Sequence, residues 1–125
     1  MKLKSYKELS VWQKAVDLVQ EIYTQTNQFP KEDLYGLTNQ MRRAAVSIPS
    51  NIAEGSRRKD LPEYMQFLRI ANGSSAELET QLIISKRIYP QVDCARSLLL
   101  IEEIQKMLNS LISRLQEKRN NKVFQ

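Results

Sequence analysis

The 125-residue chain has no histidine and only one cysteine, three glycines and four prolines. Without histidine there is no Ser-His-Asp or Cys-His nucleophile pair, no imidazole proton shuttle near neutral pH, and no Glu-x-x-His ligand pair for a di-iron centre. A lone Cys94 allows no internal disulfide; it fits a reducing compartment and reads as a small apolar filler near a helix start. Gly36, Gly55 and Gly73 stand apart, so no glycine-rich loop can cradle a phosphate. The longest aliphatic run, residues 98–101, is far short of the ~20 residues that span a bilayer. The charged first residues are not followed by the apolar run of a secretory signal. These absences lead us to expect a soluble cytoplasmic protein that does not use a membrane. Glu77, Glu79, Glu102 and Glu103 lack metal-ligand spacing, and residues 77 and 79 point about 200° apart on a helix, so they cannot share a catalytic site. No metal or cofactor is expected.

What the chain does have is 42% hydrophobic residues placed at helical spacing. Its length suits one domain spanning residues 1–125. Periodicity predicts four helices at about 10–26, 33–54, 61–88 and 94–119, with 120–125 as a frayed tail. The first gathers Val11, Trp12, Ala15, Val16, Leu18, Val19, Ile22 and Tyr23 on one arc, with Ser10 as its N-cap. The second has a narrow stripe of Leu34, Leu37, Met41, Ala44, Ala45, Ile48 and Ile52, and it contains Pro49. An interior proline costs about 3 kcal/mol, so a kink near residues 45–49 is expected, or else a break. Gly55 offers a stop, and Asp60 opens a capping box for the third helix. Asp93 can cap the fourth helix. Trp12, Tyr23, Tyr64 and Phe67 fall on core stripes, leaving Tyr6, Tyr35 and Phe124 free for exposure.

With short connections and no strand-like alternation, these segments imply an all-α, antiparallel up-down-up-down four-helix bundle with a kinked second helix. The third helix carries a second apolar stripe through Ile70, Ile84 and Ile88. Such a surplus points to an interface between copies of the chain; the alternative is a monomer with scattered exposed side chains. Glu77 lies between Ile70 and Ile84 and would need a cationic partner if buried; Arg43 is the candidate, within the protomer or across an interface.

The charge balance, 19 Lys and Arg against 14 Asp and Glu, gives a net +5. The candidate phosphate contacts are Arg42, Arg43, Arg57, Arg58 and Lys59. On a continuous helix Arg43 and Arg57 would face similar sides about 21 Å apart. Arg114, Lys118, Arg119 and Lys122 form a second basic cluster. Gln40, Ser47, Ser50, Asn51, Glu54, Ser74 and Ser75 lie near the seams and suit interhelical hydrogen bonds.

Several runs occur in order: Leu9-Ser10-Val11-Trp12-Gln13-Lys14-Ala15, then Phe29-Pro30, then a block from Asn39-Gln40-Met41-Arg42-Arg43-Ala44 to Asn51-Ile52-Ala53-Glu54-Gly55. The stretches at 64–68 and 70–79 continue the pattern. The sequence resembles the four-helix-bundle proteins encoded in 23S ribosomal RNA intervening sequences, from Leu9 to about Leu115. The resemblance implies a bacterial bundle that assembles as a ring-like homopentamer, with a basic surface and no catalytic residues. A related basic pentamer, the accessory protein of diversity-generating retroelements, binds nucleic acid and a reverse transcriptase. The combined expectation is a non-enzymatic homo-oligomer that binds nucleic acid, RNA in the first instance or DNA. The alternative is a scaffold or accessory factor for a nucleic-acid-processing enzyme such as a reverse transcriptase.

Overall fold

A computed structural model describes residues 5–123 of the chain. Among the described residues there are four long helices and no strand: α1 (Ser10–Thr26), α2 (Asn39–Ser56), α3 (Leu61–Ile88) and α4 (Ala95–Val123). None of these helices is long and apolar enough to cross a membrane.

The helices meet along their buried stripes. Leu18 and Ile22 of α1, Ile48 and Ile52 of α2, Leu78 and Leu82 of α3, and Ile104 and Leu108 of α4 lie fully buried in one core. Taking that apolar surface out of water is the main stabilising term. Each helix packs on two others, closing the circuit α1, α2, α3, α4 and back to α1.

Neighbours run in opposite senses. Between α1 and α4, Lys14 pairs with Glu103 at 2.8 Å and Glu21 with Arg96 at 3.0 Å. Between α3 and α4, Asn72 meets Asn109 and Ser75 meets Gln105. Between α2 and α3, Ser47 Oγ lies 2.8 Å from Ser74 Oγ while Gly55 abuts Phe67. In every pair one number falls as the other rises, the register of a four-helix bundle with short connections.

The second helix begins later than its periodicity suggests, at Asn39 rather than near residue 33. Residues 31–38 form a 3-10 turn, Lys31–Asp33, and a wider π-helical turn, Leu34–Thr38, in which Gly36 adopts a non-helical φ of −104° and ψ of −118°. Asp33 holds this bend: its Oδ1 accepts from Leu37 N at 3.0 Å and its Oδ2 accepts from the Tyr89 hydroxyl at 2.8 Å. A Cβ on Gly36 would meet Asp33 Oδ1 at 2.6 Å, so a side chain there would displace the carboxylate oxygen that accepts from Leu37 N. Leu34 consequently leaves the core and is 43% exposed.

α2 runs unbroken through Pro49. The proline lacks the N–H that would bond the Ala45 carbonyl. Ser50 Oγ donates to Val46 O and Asn51 Nδ2 donates to Ser47 O, both at 2.8 Å, so side chains secure the neighbouring carbonyls. Gly55 does not end the helix, which continues to Ser56; its role is close approach to α3.

Other differences are local. Ser10 lies inside the first turn of α1 and Leu9 takes the cap position without a side-chain bond. A short turn, Tyr6–Glu8, precedes it, and Tyr6 packs edge-on against Trp12 with centroids 5.4 Å apart, so Tyr6 is half-buried. Tyr23, placed on the core arc by its spacing, is 42% exposed. Asp60 caps α3 by accepting from Glu63 N, and Asp93 accepts from Ala95 N. α4 extends to Val123, past the point where fraying was expected; Phe124 and Gln125 lie outside the described residues. Cys94 is buried.

Candidate nucleic-acid interface

The five cations expected to meet phosphate sit at the two ends of α2, and their environments differ. Arg42 is tied into the fold: Nε donates to Thr26 Oγ1 and Nη2 to Asn27 Oδ1, each at 2.9 Å, and the guanidinium lies 4.6 Å over the Tyr23 ring. It thereby ties α2 to side chains at the C-terminal end of α1. Two of its five N–H donors are thus used inside the protomer.

Arg43 is exposed and has no partner among the described residues. Arg57 is also exposed, with its guanidinium 5.7 Å over the Tyr6 ring. Arg58 bonds Glu54 at 2.9 Å and lies 4.8 Å over Phe67. Lys59 is exposed without an ion-pair partner among the described residues. On an ideal continuous helix fourteen residues correspond to about 21 Å, a span of several nucleotides; Arg43 lies in α2 and Arg57 is the residue just beyond its end.

The second basic cluster joins the first at the same end of the bundle. α2 and α4 are each antiparallel to α1, so their C-terminal ends come together. There Arg57 and Lys118 line one cleft of about 590 Å³ with Ser5, Tyr6, Ser56 and Tyr64. Arg114 lines a neighbouring groove of about 460 Å³ with Lys106. Arg119 is exposed; the Lys122 side chain lies outside those described. Burial pushes the Tyr64 phenol above its ordinary value of 10.0, and its hydroxyl has no hydrogen-bond partner among the described residues. Lys118 belongs to the second basic cluster of the sequence, and the up-down topology brings it to the end of α2; Tyr64, which its spacing places on a core stripe, also reaches the cleft.

The second stripe of α3 is open in the single chain. Ile70, Ile84 and Ile88 are 43%, 42% and 56% exposed, and Ile83, absent from the expected stripe, is 48% exposed. Gly73 lies among them with nothing within 4 Å of where a Cβ would stand. Glu77 is exposed, not buried; its Oε1 accepts from Gln81 Nε2 at 3.3 Å, so within the protomer it is not paired with Arg43. The Arg43 side chain stays in solvent and Glu77 needs no counter-ion there.

The chain is thus a basic four-helix bundle with unpaired cations along α2 and an uncovered aliphatic flank on α3. Residues 7–110 match the family described as 23S rRNA-intervening sequence protein, and the chain belongs to that family. No curated protein matches it at a significant level.

Proposed function

We propose that this protein is a non-enzymatic homo-oligomer, a pentamer, that binds RNA in the cytoplasm through a sequence-tolerant electrostatic surface. The observation that carries this reading is the set of exposed cations Arg43, Arg57 and Lys59, left without carboxylate partners among the described residues on and just beyond one continuous helix. Contacts to phosphate are independent of sequence and add with number. Five copies at +5 each carry +25, so individually weak contacts combine by avidity. Self-association is supported by the open Ile70, Ile83, Ile84 and Ile88 flank.

Titration of labelled single-stranded RNA and duplex DNA at several salt concentrations tests the reading. Binding should weaken linearly in log-log form, by about 0.7 per single-strand contact and 0.9 per duplex contact. No binding at about 50 mM salt would overturn it. The same aliphatic flank favours a second reading, in which the bundle is a scaffold for a nucleic-acid-processing enzyme such as a reverse transcriptase. A monomer in solution that ignores both nucleic acids would support that alternative.

A further inference from the structure

The cleft where α2 and α4 end differs chemically from the rest of the basic surface. Two cations, Arg57 and Lys118, line it, and no carboxylate does. In the groove beside Arg43, by contrast, two of the Arg42 donors are already taken by Thr26 and Asn27. The Arg57 guanidinium is held in place by Tyr6, itself wedged edge-on against Trp12, so little side-chain freedom is lost when an anion arrives. Ser56 Oγ spends its donor on Ala53 O, whereas Ser5 Oγ, which accepts from Lys7 N, and the Tyr64 hydroxyl keep theirs in the lining of the cleft.

Helix dipoles do not oppose a bound anion here. The C-terminal ends of α2 and α4 lie beside the N-terminal ends of α1 and α3, so the partial charges offset and the side chains set the field. The volume, about 590 Å³, lies within the range of small-ligand sites, roughly 300 to 1,000 Å³, and has room for one nucleotide. A phosphomonoester carries about −1.5 to −2 at pH 7 and three strong acceptor oxygens, which match two cations and a phenol donor better than the single charge of an internal diester.

We infer that this cleft binds the terminal phosphate of a nucleic-acid strand, a phosphomonoester, gripped by Arg57 and Lys118 with Tyr64 donating. The inference rests on the nucleic-acid reading above. It makes the cleft an end-recognition site, distinct from the sequence-tolerant contacts along α2.

The test compares one single-stranded RNA with a 5′-phosphate, a 3′-phosphate or hydroxyls at both ends, by fluorescence anisotropy on the full chain. A phosphorylated end should bind about tenfold more tightly than the hydroxyl strand. Arg57→Gln and Lys118→Gln, both at exposed positions, should each erase that difference, whereas Arg43→Gln should weaken all three strands alike. Equal affinity for the three strands in the unaltered protein overturns the end site and leaves RNA binding intact; no binding of any strand overturns both. A free nucleoside monophosphate that binds as tightly as the phosphorylated strand would assign the cleft to a mononucleotide and also overturn the inference.

Discussion

Gly55 of α2 comes so near Phe67 of α3 that a Cβ at Gly55 would stand 2.7 Å from the Phe67 Cβ. It would also lie 3.2 Å from the Tyr64 carbonyl oxygen, so relief requires moving a backbone. Gly55→Ala should therefore destabilise the bundle by about 1 to 3 kcal/mol despite alanine's better helix propensity. Urea denaturation measures this, and an unchanged midpoint would show that the two helices separate freely.

Arg42 ties α2 to the end of α1 with two hydrogen bonds and a ring contact. Arg42→Ala should cost about 1 to 2 kcal/mol of stability, since partly exposed charged hydrogen bonds are removed. Its effect on RNA affinity should be smaller than that of Arg43→Ala. The comparison is made at a temperature where both variants are folded; a larger binding loss for Arg42 would place it among the phosphate contacts.

The α3 flank predicts opposite effects of two substitutions. Ile84→Glu or Ile88→Glu should dissociate the assembly, as seen by light scattering after size exclusion. Gly73→Ala, facing open space in the protomer, should stabilise an isolated chain by about 1 kcal/mol. If it weakens the assembly instead, another backbone packs against Gly73. Oligomers that persist in both glutamate variants would place the contact elsewhere.

Reversing the charges of Arg57, Arg58 and Lys59 to glutamate should weaken RNA binding for every sequence and flatten its salt dependence. All three lie on the surface, so the thermal midpoint should fall only slightly, with the loss of the Arg58–Glu54 pair contributing less than about 1 kcal/mol. Unchanged affinity would move the interface away from this end.

The Tyr89 phenol is pushed above its ordinary value of 10.0, chiefly by the hydrogen bond it donates to Asp33, with burial and the nearby carboxylate charges adding to the effect. The folded state holds this proton more tightly than the unfolded chain. Its contribution to stability is complete below pH 10 and is lost as pH rises through the higher folded value. Tyr89→Phe should remove that alkaline loss, and melting curves across this range check it. An unchanged difference between neutral and alkaline stability would show that the contact is energetically silent.

Much of the architecture could be read from the spacing of aliphatic residues, because a bundle helix advertises its buried face every three or four positions. The start of α2 could not, since Leu34 and Leu37 keep that rhythm through a bend created by Asp33 bonding at both oxygens. Nor could the fate of Arg42, whose neighbours in space, Tyr23, Thr26 and Asn27, come from the preceding helix. The exposure of Glu77 in the single chain could not be read either, because a helical wheel fixes direction around an axis without saying whether anything covers that side. The basic cleft falls between these cases: topology alone joins the ends of α2 and α4, but the stacking of Trp12, Tyr6 and Arg57 depends on a turn that precedes the helical pattern.

The Tyr89–Asp33 bond has a further consequence for the far end of the bundle. It fastens the turn before α2 to the end of α3 with a proton that leaves only in strong alkali, so that pole stays latched at any physiological acidity. The opposite pole, with exposed Arg57, Lys59 and Lys118, is open to dissolved ions. One end of the molecule is thus sensitive to hydroxide and the other to salt, and under the proposed function a change in ionic strength loosens the hold on RNA without unfastening the scaffold that presents it.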